Sequence, residues 1–80
     1  MEVHLRDVII RFDGDVFEVF DPTEKGSVRF LPETLESIAL DGDFLVLIHQ
    51  VAQARSMYWV EADQRGQVGE LIDAVNAARG

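Results

Sequence analysis

Polar and apolar residues alternate over much of the chain with the period of two that is typical of β-strands. Val8, Ile10 and Phe12 occupy alternate positions of the first such segment, residues 8–12. Further strand-like segments follow at residues 16–20, 27–31, 37–40, 44–51 and 57–62. Asp-Gly-Asp sequences at 13–15 and 41–43 interrupt them, and Gly supplies the positive φ that a tight hairpin needs. The pattern predicts an antiparallel meander.

Three other connections can be predicted from the sequence. Residues 21–26, which contain Pro22 and end in Gly26, predict a longer turn. Residues 32–36 predict a single helical turn or a corner, and the polar residues 53–56 predict a loop between the last two strands.

The period becomes helical near the C-terminus. One stripe of a helix is formed by Val68, Leu71, Ile72, Val75 and Ala78. Asp63 or Gln67 is predicted to begin this helix and Gly80 to end it. A helix of this length is unstable alone, so its stripe should pack on the sheet. We expect a mainly β (α+β) fold, an antiparallel meander or half-barrel of five to seven strands with one C-terminal amphipathic helix.

The corner at residues 31–38, followed by hairpins and by the amphipathic helix at residues 68–75, resembles the small bacterial PH-like domains. The resemblance covers residues 8–78 and implies that residues 1–80 form a single PH-like domain, a bent half-barrel plugged by its terminal helix. Two features depart from that pattern. One strand fewer is identified, and the loop in which lipid-binding members carry cations is Asp13-Gly14-Asp15 here. The resemblance therefore implies a protein-interaction or scaffold module without the lipid role.

Charge excludes several classes of partner. The 80 residues include 15 acidic and 7 basic side chains, a formal net charge of −8. A field of this sign repels phosphates, so we expect neither nucleic acid nor an anionic lipid or membrane surface as a partner. The chain has no cysteine, no apolar stretch long enough to span a bilayer and no secretory signal pattern, which indicates a cytoplasmic protein.

Candidate chemistry is sparse. His4 and His49 are the only imidazoles, no serine lies in a nucleophile elbow, and no glycine-rich loop precedes a helix. We therefore expect no enzyme, no catalytic residue, no cofactor and no metal site. The Asp-Gly-Asp turns leave one alternative, because carboxylates bind Ca²⁺, but hairpin turns select the same residues.

An excess of apolar residues in two strands points to a partner. Residues 44–48 and 57–60 are apolar on both faces, and one helix covers only one face of a sheet. Either bending and loops cover the other face, or a protein partner does, most simply a second copy in a twofold homodimer. The candidate partner-binding residues are Leu45, Leu47, Tyr58 and Trp59, with Trp59 equally suited to the core.

Two functions of different class remain. The first is a small interaction or scaffold domain that binds protein through a sheet face or edge. The second is an acidic inhibitor or immunity-type protein that neutralises a basic partner. Salt separates them, because association driven by charge slows steeply with ionic strength and an apolar contact barely responds.

Overall fold

Two antiparallel sheets and one C-terminal helix make up the fold in the computed structural model, which describes residues 1–23 and 25–79. The first sheet, sheet A, contains β1 (Glu2–His4), β2 (Ile9–Phe12), β3 (Phe17–Asp21) and β4 (Gly26–Phe30) in that order. The second, sheet B, contains β5 (Leu35–Asp41), β6 (Phe44–His49) and β7 (Arg55–Trp59). Helix α1 spans Arg65–Arg79. The predicted mainly β, PH-like arrangement with a C-terminal helix is confirmed.

The strand boundaries correct the prediction: β2, β3 and β4 differ by one residue at one or both ends, β5 starts at Leu35 rather than at 37, and larger changes affect β1, β6 and β7. β1 was not predicted, because it contributes a single apolar residue, Val3, to the alternation. It supplies the strand that the comparison with PH-like domains lacked. β6 ends at His49 rather than at 51, and β7 covers Arg55–Trp59 rather than 57–62. Arg55 and Ser56 belong to the strand because they pair with Ile48 and Leu47, which the local pattern does not show.

The predicted turns at 13–15 and 41–43 and the corner after residue 31 are present, whereas the loop predicted at 53–56 lies earlier, with a 3₁₀ turn at Val51–Gln53. Pro32–Thr34 forms one 3₁₀ turn between the sheets. Gly42 has φ 61° in the two-residue turn between β5 and β6, and Gly14 has φ 99° between β2 and β3. Within the predicted turn at 21–26, Glu24 lies outside the described residues, and so does Gly80, the predicted helix stop.

The core lies between the two sheets and α1. Its buried side chains come from the inner face of each sheet, from one face of the helix and from the segments that connect them: Val3, Leu5, Val8, Ile10, Phe12, Phe17, Val19, Leu35, Ile38, Leu45, Leu47, Val60, Val68, Leu71 and Val75. Phe17 stacks on Phe30 with ring centroids 4.9 Å apart, which joins β3 to the end of β4. The helical stripe is shorter than predicted, because Ala78 is exposed and Ile72 only half-buried.

Helix α1 closes one corner between the sheets. It starts at Arg65 in spite of Gly66, because a 3₁₀ turn at Ala62–Gln64 with a capping box between Glu61 and Gln64 leads directly into it. The Gln64 amide donates a hydrogen bond to the His4 carbonyl at the outer edge of β1. At the other end, Arg79 donates to the Glu36 carbonyl of β5 at 2.7 Å. The helix therefore bridges β1 and β5.

A ladder of alternating charge crosses the outer face of sheet A. Glu2, Arg11, Glu18 and Arg29 lie directly opposite one another on β1, β2, β3 and β4. Arg11 Nε lies 2.7 Å from Glu2, and Arg29 Nε lies 2.6 Å from Glu18. Hydrogen bonds from His4 and Arg11 lower the pKa of the Glu2 carboxyl. A one-residue slip would break every pair, so the ladder favours one register.

The Asp13 carboxylate orders the turn between β2 and β3. Its Oδ1 accepts hydrogen bonds from the amides of Val16 at 2.7 Å and Asp15 at 2.8 Å. These hydrogen bonds hold the pKa of Asp13 below its ordinary value. The stabilisation is therefore present above the pKa of an unfolded Asp and is lost as pH falls through the lower folded value.

Truncation of the helix contact should destabilise the fold strongly. Leu71 is wholly buried, so Leu71→Ala should cost about 2–5 kcal/mol. For a domain of this size that corresponds to a fall in Tm of roughly 10 °C or more in a thermal melt followed by circular dichroism. Glu70→Ala, exposed on the same helix, is the control and should change Tm little. An unchanged Tm for Leu71→Ala would mean that α1 does not close the core.

Acid should remove the stabilisation that the Asp13 carboxylate gives to the turn between β2 and β3. We expect Asp13→Ala to melt below the wild type at neutral pH, because two turn amides lose their acceptor. The difference in Tm between the two proteins should shrink as pH drops below about 4, where protonation removes the same interaction from the wild type. A difference that stays constant from neutral to acid pH would contradict this role.

Candidate interaction site

The corner between β4 and β7, opposite the helix, is open. Val28 shows this most clearly. It lies on the inner face of sheet A, opposite buried Val19, yet it is 63% exposed. The other apolar side chains on this face belong to the buried core or pack against it, whereas Val28 does not, and no further strand of the described chain pairs with β4. The hydrophobic core therefore reaches the surface along this corner, which we call the seam.

The seam is a groove of about 270 Å³. It is lined by β2–β4 and their connections on one side and by β7 on the other: Val8, Val19, Asp21, Gly26, Ser27, Val28 and Tyr58. Val8 and Val19 form a buried apolar floor, and Tyr58 is half-buried against the core. The groove has apolar walls, and the Asp21 carboxylate that also lines it already accepts a hydrogen bond from the Thr23 amide at 2.9 Å.

Unpaired strand edges flank the seam. β4 and β7 are the last strands of their sheets, and neither pairs with a further strand in the described part of the chain. An outer edge presents backbone N–H and C=O groups at alternate residues, which pair readily with another extended chain. The other two sheet edges are not equivalent, because α1 packs beside β5 and its Gln67 side chain donates a hydrogen bond to the Glu2 carbonyl of β1 at 3.4 Å. The free edges and the apolar groove therefore coincide.

A second apolar surface is the outer face of sheet B. It consists of the side chains that alternate with the core residues of β5, β6 and β7: Ser37, Ala39, Asp41, Phe44, Val46, Ile48, Arg55, Met57 and Trp59. Ala39, Val46 and Met57 lie opposite one another and form an apolar row across all three strands. Met57 is 46% exposed. This face carries nothing like the charge ladder of sheet A.

Aromatic residues form one end of this face. The rings of Phe44 and Trp59 meet edge to face with centroids 5.3 Å apart. The Arg6 guanidinium lies 4.7 Å from the Trp59 ring centroid and also bonds to Glu61 at 2.6 Å. Trp59 is thus half-covered by its own chain, and its indole N–H is buried without a hydrogen-bond partner.

The structure separates the four predicted partner-binding residues. Leu45 and Leu47 are wholly buried in the core, so their side chains are not available to a partner, which corrects their assignment. Tyr58 lines the seam, and Trp59 lies on the outer face of sheet B. Val28 was not identified from the alternation, because its exposure depends on β4 being the last strand of sheet A in the described chain. Val46 and Met57 could have been identified from the alternation, once the inward set of β6 was known.

The remaining clusters are already satisfied internally. A depression of about 310 Å³ over the charge ladder is lined by Arg11, Glu18 and Arg29 among others. The hydrogen bond from Arg29 to Glu18 raises the pKa of the guanidinium, so this cation is already paired. His49 contacts the Ser56 hydroxyl at 3.4 Å and the Phe30 ring edge, with centroids 5.1 Å apart. Within residues 1–23 and 25–79, no three His, Cys, Asp or Glu side chains form a metal-binding group.

The seam and the outer face of sheet B are therefore the features of the described chain that bear on function. Among the described residues, no helix is long and apolar enough to cross a membrane. Comparison with models of known families, with curated proteins and with solved structures finds no match to this chain.

Proposed function

We propose that this protein is a small interaction domain, without catalytic activity, that binds an extended segment of another protein in the seam between β4 and β7. The observation that supports the proposal is the 63% exposure of Val28 on the inner face of sheet A. A partner side chain that enters the groove would cover Val28 and remove it from water. In the free protein, Val28 stays exposed to solvent.

An extended chain fits this site better than a helix or a small molecule. Binding by strand addition uses backbone hydrogen bonds to a free edge for affinity and pockets for alternate side chains for specificity. The seam offers both, because the edges of β4 and β7 flank a groove of about 270 Å³. That volume suits one or two apolar side chains of a bound strand and is small for a drug-sized ligand.

The charge of the chain restricts the composition of the partner segment. The Asp21 carboxylate lines the groove, and the chain as a whole carries −8. An acidic segment would be repelled, whereas Lys or Arg next to the apolar residues of the segment would be attracted. We therefore infer a partner segment in which apolar residues at alternate positions are flanked by basic residues.

The acidic composition also supports the second candidate, an inhibitor that neutralises a basic partner. Raising NaCl from roughly 0.05 to 0.5 M should weaken such a complex by orders of magnitude. Binding in the seam should weaken only severalfold over the same range, because burial of apolar side chains dominates it. Affinity measured at the two salt concentrations therefore distinguishes the two functions.

Substitution of Val28 should weaken peptide binding strongly and leave the fold intact. The probe is a set of peptides selected on the wild-type protein from a random 12-residue display library and then synthesised. We expect Val28→Glu to bind these peptides at least about tenfold more weakly, a change of about 1.4 kcal/mol, because a carboxylate replaces the apolar contact. Its Tm should stay near the wild-type value, since Val28 is already largely exposed.

The matched control is Val51→Glu, in which an apolar residue 81% exposed on the loop between β6 and β7 receives the same charge. It should bind like the wild type. Selected peptides should also shift the amide resonances of β4 and β7 more than those of β2. Peptides that bind both variants equally, or that perturb only residues outside the seam, would refute the proposal.

A further inference from the structure

We propose that the outer face of sheet B binds the same face of a second copy of this chain, in a weak twofold dimer held in register by Asp41 and Arg55. The proposal concerns a surface separate from the seam and does not depend on what the seam binds. Its starting point is the pair of exposed apolar residues Ala39 and Met57, which lie on either side of Val46 on the outer face of sheet B, where Val46 itself is only 8% exposed.

The charges on this face have a self-complementary arrangement. The face is a grid of three strands and three rows, in which Asp41, Phe44 and Trp59 form one end row and Ser37, Ile48 and Arg55 the other. Asp41 is on β5 and Arg55 on β7, so the two charges occupy diagonally opposite corners. Both are exposed, and neither forms an ion pair within the described part of the chain.

A single twofold axis uses both charges at once. The axis lies in the plane of contact and runs perpendicular to the line from Asp41 to Arg55. It places Asp41 of one copy against Arg55 of the other, and the symmetry repeats the pair. An axis along the strands, or one at right angles to them, would leave both charges opposite Ser37 or Trp59. An axis along the line from Asp41 to Arg55 would place each charge against its own copy, so the pairing of opposite charges selects one of the four simple arrangements.

The same axis also matches the apolar residues. Phe44 meets Met57 and Ala39 meets Ile48, while Val46 at the centre is already buried in the single chain. Phe44 and Met57 suit each other, because a thioether contacts an aromatic ring favourably. The strands of the two copies cross near right angles, which is one of the two ordinary ways in which sheets pack.

The contact area is small, so we expect a low affinity of dimerisation. Three strands spaced about 4.8 Å apart and five residues long cover roughly 250 Å² of each copy. A stable complex usually buries about 800 Å² of each partner, so we expect a Kd of roughly 100 µM. Two chains that each carry −8 also repel each other. Added salt screens that repulsion, so the dimer should tighten with salt.

Charge exchange between two variants tests the geometry. In sedimentation velocity from about 20 to 1000 µM, the wild type should shift from monomer to dimer. Asp41→Arg and Arg55→Asp should each weaken dimerisation about tenfold or more, because two like-charged contacts replace two attractive ones. An equimolar mixture of the two variants should form a heterodimer as stable as the wild-type dimer, since both corner pairs again join opposite charges.

Two control variants show whether dimerisation uses the outer face of sheet B. Glu70→Arg changes the net charge as Asp41→Arg does, but it lies on α1 and should leave the dimer unchanged. Val28→Glu, which is designed to disable the seam, should also dimerise like the wild type. A wild type that stays monomeric over the whole range would overturn the proposal. So would a dimer that is indifferent to both substitutions, because its interface would then lie elsewhere, and so would a mixture that fails to restore association.

Discussion

One helix can close only one of the two corners at which a pair of crossed sheets meets. Here α1 packs between β1 and β5, where Val68, Leu71 and Val75 complete the core and the Gln64 and Arg79 side chains satisfy backbone carbonyls at the strand edges. Among the residues that the structure describes, no strand pairs with β4 or β7 at the opposite corner. The apolar floor and the two free edges of the seam therefore follow from the position of the helix.

The outer faces of the two sheets differ in charge and polarity. Sheet A carries a paired ladder of Glu2, Arg11, Glu18 and Arg29, which fixes its register and leaves no net charge to attract a partner. Sheet B carries an apolar row with one acid and one base at opposite corners. A domain with a seam for a foreign strand and a face for its own copy could bring two partner segments together, which is the action of a scaffold.

Local patterns predicted the parts of the structure that local forces determine. The alternation around Ile10 and the helical spacing of Leu71 depend on a few neighbouring residues, and both elements formed as predicted. The site depends on contacts between distant segments. Val28 has the same alternation as Val19, and only the missing strand beside β4 separates an exposed residue from a buried one. In β6, five apolar residues in a row gave no sign of the inward set, so Leu45 and Leu47 were assigned to a partner although they fill the core.

Amide hydrogen exchange in the free protein, followed residue by residue by NMR, tests the open corner most directly. β2 and β6 are flanked by strands on both sides, so their amides should exchange slowly throughout. In β4 and β7, about every second amide faces outward and should exchange as fast as a loop, while its neighbours remain protected. Uniformly slow exchange along both β4 and β7 would show that these edges are covered in the free protein, and the account of an open seam would be wrong.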